Sequence, residues 1–390
     1  MNRKACFLPV ILLAACASTP PPEPAPPVVE SAEAAPAPEP VPTTEPSLRP
    51  APPDRSRTRI TVAAVGDMML GTDYPEDRLP DDDGSGFLAE VTPILSTADI
   101  AVGNLEGVLL DGGKPGKKCS NPAACYLFRS PSRYAEHYRR AGFDVMSLAN
   151  NHARDFGEEG RAASMRALSA VGIRHSGLEN DYATLNVNGL KVAVLAYAVT
   201  RNSNMMLNYD LPRATVAGYA GTHDIVIVSF HGGAEGQNVS NLPFDDEEYL
   251  GEPRGDVVRF ARLMVDAGAD LVIGHGPHVV RAMENYRDRL IAYSLGNFAT
   301  YYGISVAGIK GIAPILAVTL DGNGHFVEGR VHSTRQIRPA GPSIDPENKA
   351  LIMLRGLSQE DFGSPGLVFL DDGTIQPAPR QSVRPLKDTF

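Results

Sequence analysis

The chain has 390 residues, enough to bury a sizeable core in one large domain or two small ones. Its 43% hydrophobic and 21% charged residues are ordinary globular usage. A formal net charge of −10 argues against nucleic acid as a partner, and leaves any contact with an anionic polymer to a local patch.

In chain order, Asn2-Arg3-Lys4 make a basic start, followed by an apolar stretch from Ala5 to Ala15. That stretch is too short to span a bilayer and suits the core of a signal peptide. It ends in Leu13-Ala14-Ala15-Cys16, which resembles a bacterial lipobox, so residues 1–16 read as a lipoprotein signal peptide with Cys16 as the lipidated residue. An ordinary cleaved signal with an incidental cysteine is the alternative. Acyl chains on Cys16 would anchor an exported protein firmly in the cell envelope. Ala17, rather than Asp, fits sorting to the outer membrane with the domain at its periplasmic face. Residues 17–57 are rich in Pro and Ala and nearly devoid of large apolar side chains, which predicts a disordered, extended tether.

Cys6 leaves with the signal, so Cys119 and Cys125 are the cysteines of the mature domain. In an exported chain, two cysteines this close in a Gly/Pro/Asn-rich loop most simply form a local disulfide. A metal pair is the alternative, but no second Cys/His pair lies nearby.

From Arg59 the texture changes. Ile60–Val65, Asp99–Val102, Asp144–Leu148, Val192–Tyr197, Asp224–Phe230, Asp270–Ile273 and Leu290–Ser294 are short apolar runs without alternation, as expected of strands covered on both faces. Ala162, Met165, Leu168 and Val171 share one helical face, as do Val257, Phe260, Ala261 and Met264, with Gly172 and Gly268 where helices end. This alternation predicts an α/β domain with mainly parallel pairing. Ile312–Leu320 and His325–Ser333 predict a hairpin across Asp-Gly-Asn-Gly. Beyond it, Leu351–Leu354 and Leu367–Leu370 read as short strands in a C-terminal extension, residues 336–390, packed on a domain spanning 58–335.

The residues just past each strand carry the chemistry. Gly66-Asp67, Gly103-Asn104-Leu105-Glu106, Asn150-Asn151-His152, His231-Gly232-Gly233-Ala234-Glu235 and Gly274-His275-Gly276-Pro277-His278 each close an apolar run. In open α/β sheets the ligand site lies outside the carboxyl ends of the strands. Carboxylates, amides and imidazoles without a thiolate suit a divalent metal, one or two ions of Mn, Fe or Zn. Each piece alone has a plainer reading: Gly-Asp as a turn, Asn150-Asn151-His152 as a helix N-cap, a single His as a surface imidazole. Together at strand ends they point to a site.

The ordered series of these motifs, with Phe128-Arg129-Ser130-Pro131, Ala141-Gly142-Phe143-Asp144, Ala267-Gly268-Ala269-Asp270 and Tyr293-Ser294-Leu295-Gly296-Asn297-Phe298, resembles the CapA (poly-γ-glutamate capsule biosynthesis) family from about Ile60 to Leu320. That family is similar to calcineurin-like metallophosphoesterases. The resemblance therefore implies an α/β fold built as a four-layer α/β/β/α sandwich of the metallophosphoesterase type. It implies Asp67, Glu106, Asn151, His231, His275 and His278 as metal ligands, His152 as the histidine at the scissile group, and Glu235 as a residue that either supports the ligands from behind or orients a water. Departures accompany it: Met68-Met69 follow Asp67 where phosphoesterases carry Asp-x-His, and Glu106 replaces an Asp. Gly232 and Gly276 stand where relatives often have Trp and His, and Gln237 to Gly255, with its acidic Asp245–Glu248 run, is inserted.

Two functions are implied. One is a metal-dependent hydrolase with phosphoesterase-like chemistry serving capsule or poly-γ-glutamate-like polymer biosynthesis. The other is a non-catalytic, membrane-tethered scaffold that binds or guides an exported anionic polymer or meets its synthesis machinery.

Overall fold

The computed structural model describes residues 55–117 and 125–379. The signal peptide, Cys16, the tether up to residue 54 and Cys119 lie outside the described residues.

The first strand, Arg59–Met69, shows how the layers arise. Its Ile60, Val62 and Ala64 join one core cluster, while Ala63 and Val65 join another, so both faces are apolar. Strands of this kind must be covered on both sides. The first cluster lies between two sheets, because it also contains Val192, Val194, Ile225, Ile227, Leu271 and Ile273 of the second sheet. The second cluster packs Leu95, Tyr134, Tyr138 and Leu168 from the helical segments Thr92–Leu95, Ser132–Ala141 and Gly157–Ala170 over the outside of the first sheet. A third cluster sets Val216, Val257, Phe260 and Met264 of helices Asp210–Ala220 and Val257–Asp266 against the outer face of the second. The result is the expected four-layer α/β/β/α sandwich.

In the first sheet, Arg59–Met69 runs parallel to Ile100–Leu105, then Val145–Ser147, then Arg174–Ser176. On its other side the hairpin Ile312–Asp321 and Phe326–Gln336 pairs antiparallel, close to the predicted bounds. The second sheet runs Arg289–Ala292, Leu271–His275, Ile225–His231 and Leu190–Ala198 in parallel, with antiparallel edges Met283–Tyr286 and Ala183–Val187. Pairing is thus parallel through the middle of the second sheet with antiparallel edges, while the first sheet is parallel on one side of its opening strand, out to the edge at Arg174–Ser176, and antiparallel across the hairpin on the other.

Four runs that the sequence pattern began at an Asp begin one residue later. Asp99, Asp144, Asp224 and Asp270 cap the neighbouring strand instead, accepting from the backbone N–H of Thr61, Ala101, Lys191 and Val226 at 2.7 to 2.8 Å. These carboxylates satisfy donors at the amino ends of the strands. The opposite ends stay free for chemistry.

One expected strand is overturned. Leu351–Leu354 lies inside the helix Lys349–Phe362, which inserts Leu351 and Leu354 into the core between the sheets. The helical spacing extends over Ala350, Leu351, Leu354 and Ser358, beyond the four-residue run. Leu367–Phe369 is a strand, and it pairs with Thr374–Pro377 at the edge of the first sheet.

Candidate metal centre

Close backbone approaches at the carboxyl ends of the strands require glycine. A Cβ on Gly66 would lie 1.9 Å from the Gly296 carbonyl oxygen, and one on Gly274 would lie 2.1 Å from that of Tyr293. Real Cβ atoms do not come so close, so both positions require glycine. At this junction Asp67 N–H donates to the Gly296 carbonyl, and the chain passes into Asn297–Thr300, which pairs parallel with the end of the first strand.

Register then gathers the polar residues. Asp67 is directly opposite Asn104 in the first sheet, and His231 is opposite His275 in the second. Asp67, Asn104, Glu106, His231 and His275 are all essentially excluded from solvent. Asp67, Glu106 and His231 each offer a ligand atom within 4.8 Å of the others. His275 Nδ1 lies 3.4 Å from Asp67 Oδ1, and His278 Nδ1 lies 3.1 Å from Asp67 Oδ2. His278 Nε2 faces Glu106 Oε1 at 3.7 Å and Glu235 Oε2 at 3.8 Å. His278 reaches this position from a left-handed backbone, φ +60°, a costly geometry for a non-glycine residue.

Asparagines that the motif reading did not place among the site residues hold the carboxylates. Asn104 Nδ2 donates to Asp67 Oδ1 at 2.8 Å and lies 3.4 Å from Glu106 Oε2. Asn150 Nδ2 donates in turn to Asn104 Oδ1 at 2.9 Å. Asn297 Oδ1 accepts from His278 Nδ1 at 2.9 Å. Asn104 and Asn297 each follow a Gly at a strand end, the signal that had already marked Asp67.

His152 lies beside this cluster. Its ring packs on Phe128 with centroids 4.4 Å apart, and its Nδ1 bonds Asp155 Oδ2 at 2.8 Å. Asn150-Asn151-His152 does not cap a helix, since the next one begins at Gly157. Asp155 escaped the sequence reading because a single Asp in a turn carries no signal of its own. Of the predicted Cys119–Cys125 disulfide, Cys125 is disulfide-bonded, whereas Cys119 lies outside the described residues.

The acidic run in the insertion is not wholly solvated. Glu247 is buried and forms two 2.7 Å bonds to the fully buried Arg281. It also accepts from Ala234 N–H at 2.9 Å, which fixes the segment carrying Glu235. The insertion forms the two-stranded hairpin Glu247–Tyr249 and Glu252–Gly255.

Electrostatics describe a centre that demands positive charge. Burial would raise the Asp67 carboxyl, but the neighbouring His275 and His278 imidazoles outweigh it and hold Asp67 well below the usual range. Burial, and then the Asp67 charge, push Glu106 well above it. Burial works against protonation of His278, yet Glu106, Asp67 and Glu235 push its imidazole up to about 10. Burial holds His231 well below its ordinary value. Protons are drawn onto Glu106 and His278 because two carboxylates are buried at one point.

The residues fit a divalent cation. Glu106 Oε1, Asn151 Oδ1, and both ring nitrogens of His231 and of His275 are buried without a hydrogen-bond partner. Orphaned polar atoms cost about 1–3 kcal/mol each unless a ligand takes them. Oxygen and imidazole nitrogen are the donor types of Zn, Mn and Fe sites.

A four-layer sandwich with carboxylate and imidazole groups gathered at its sheet ends defines a class: α/β proteins built around a candidate metal centre. Residues 61–302, more than half of the chain, match the model of the family described as bacterial capsule synthesis protein PGA_cap, and the chain belongs to that family. It is 29% identical over 266 residues to the capsule biosynthesis protein CapA of Bacillus anthracis, covering 63% of this chain and 60% of the relative. It is 26% identical over 275 residues to the PGA biosynthesis protein CapA of Bacillus subtilis, covering 61% and 63%. The chain thus spans less than two thirds of the length of these relatives. A solved 5′-nucleotidase precursor from Thermus thermophilus superposes with a TM-score of 0.40 at 13% identity, covering 77% of this chain and 59% of that one.

Proposed function

We propose that this chain is a metal-dependent hydrolase of the cell envelope that serves capsule or poly-γ-glutamate-like polymer biosynthesis. The observation that carries the reading is the set of orphaned ligand atoms from Glu106, His231 and His275 beside Asp67, with Asn151 Oδ1 also buried and unpartnered. One or two divalent ions, Mn, Fe or Zn, would be held by these residues with His278, and such an ion supplies Lewis-acid charge and lowers the pKa of water. The biological role rests on the family and on relatives named for capsule and PGA biosynthesis.

The protein's own groups have separable roles. Asp155 engages His152 Nδ1, so Nε2 is the nitrogen left to take up a proton and return it to a leaving oxygen. Burial keeps His152 below its ordinary pKa, so the ring is neutral and ready to accept. Glu235, 3.8 Å from His278 Nε2, is placed to orient water at the centre. Asn104 holds Asp67 and Glu106 in their relative orientation.

Turnover of a phosphomonoester, a phosphodiester and a γ-glutamyl oligomer by the metal-loaded chain tests the reading. Metal-dependent release from any of them supports it. No release from all three leaves the tethered, polymer-binding scaffold as the better account. Anchoring through Cys16 belongs to the same proposal and rests on the N-terminal sequence. Cys16→Ser is expected to abolish fatty-acid labelling, and undiminished labelling would remove the anchor from the account.

A further inference from the structure

Arg254 is 2% exposed, yet its Nε and Nη1 have no hydrogen-bond partner. Its Nη2 donates to Glu235 Oε1 at 2.6 Å. A guanidinium carries five N–H groups, so the three on Nε and Nη1 are left unused in a buried position. Among the described residues no other arginine has two buried nitrogens without partners. A charged donor in that state is costly unless something satisfies it.

Its surroundings lie next to the candidate centre. Arg254 sits on the inserted hairpin, whose Arg254 carbonyl accepts from Gly233 N–H at 3.0 Å, two residues beyond His231. Glu235, which it engages, reaches to 3.8 Å from His278 Nε2. The guanidinium packs 5.3 Å from the Tyr249 ring centroid, which holds its plane in place. On the His152 side, Lys117 Nζ lies 3.3 Å from Asp155 Oδ1 and 3.1 Å from the Asn151 carbonyl. A chain of net charge −10 therefore places one cation at Glu235 and another at the Asp155 that engages His152.

We infer that Arg254 is the anion-binding residue of this centre, receiving an oxyanion of the substrate, a carboxylate or a phosphoryl group, on its unpaired Nε and Nη1 donors. The inference rests on the reading of the centre as a metal site that acts on substrate. It makes the substrate acidic and makes the insertion the element that selects it. Glu235 keeps the guanidinium oriented and partly neutralised until the anion arrives. Planar N–H donors suit carboxylate and phosphoryl oxygens better than an ammonium does.

The test is calorimetric titration of the full chain, purified in detergent and supplemented with metal, with inorganic phosphate and separately with glutarate. Metal content and thermal melting are measured on the same samples. Arg254→Met is expected to weaken binding at least about tenfold while retaining metal and fold, and Arg254→Lys to recover part of the loss. Glu235→Gln is expected to tighten binding, because it removes the carboxylate that competes for the guanidinium. A merely structural Arg254 would make Glu235→Gln weaken binding as Arg254→Met does. The preferred anion identifies the substrate group as phosphoryl or carboxylate. Wild-type protein that binds neither anion, or Arg254→Met protein that binds both as wild type does, overturns the inference. Absence of metal from wild type, with Arg254-dependent anion binding intact, would instead overturn the hydrolase reading alone.

Discussion

His278 and Asp67 are 211 positions apart in sequence, and His278 Nδ1 lies 3.1 Å from Asp67 Oδ2. This contact ties the loop after the second sheet's Leu271–His275 strand to the end of the first sheet's opening strand. The centre therefore exists only when both sheets are assembled. Binding of an ion to the assembled state stabilises it by mass action, by about 2.7 kcal/mol at a hundredfold excess over Kd. Added Mn or Zn is expected to raise the melting temperature of the wild-type chain and to leave Asp67→Asn unmoved. An equal rise in both proteins would place the ion elsewhere.

Asp155 acts through His152. Its carboxylate accepts from Phe128 N–H at 2.7 Å and engages His152 Nδ1 at 2.8 Å, so it fixes the ring against Phe128. Asp155→Asn is expected to lower kcat by about 10–100-fold with metal content unchanged. Steady-state kinetics on a substrate that turns over, beside elemental analysis, checks both halves. An unchanged kcat would remove His152 from the proton path.

Gly66 has a steric cause that can be measured. The 1.9 Å approach to the Gly296 carbonyl leaves no room for a methyl group. Gly66→Ala must push the first strand away from the Leu295–Gly296 backbone at the centre, at a cost of about 3 kcal/mol or more. Chemical denaturation should register that loss together with reduced metal retention, and a neutral substitution would contradict the close approach.

Some of this was legible in the sequence and some was not, for physical reasons. Strands buried on both faces have no alternation to hide them, so Ile60–Val65 and Val192–Tyr197 stood out as apolar runs. Edge strands such as Arg174–Ser176 and Ala183–Val187 alternate over too few residues to be distinguished from loops. At the candidate centre, Asp67, Glu106, His231 and His275 were visible because each closes an apolar run and sits beside a glycine. Asp155 and Arg254 were not, since each acquires a role only from a partner that tertiary folding brings to it. The pairing of Glu247 was hidden for the same reason, because the fully buried Arg281 that bonds it lies 34 positions away.

Far from the centre, Asp270 links stability to pH. Burial is the main influence and raises its carboxyl from 3.8 to about 6, against the opposing pull of Arg289 and the Val226 N–H. The folded state therefore binds this proton more tightly than the unfolded state. Its contribution is fully present below pH 3.8, is lost as pH rises to about 6, and is constant above that. Asp270→Asn cannot titrate there. Between those limits the wild-type chain is expected to lose up to about 3 kcal/mol relative to the variant. Urea unfolding of both proteins across this range measures the difference, and a difference independent of pH would contradict the raised value.

Elemental mass spectrometry of the chain, purified without chelator from metal-supplemented medium beside a His231→Ala/His275→Ala double variant, tests the central claim most directly. Stoichiometric Mn, Fe or Zn in the wild type that disappears from the variant is the predicted result. Wild-type protein that is metal-free and stays empty after reconstitution would contradict the metal centre and the hydrolase built upon it.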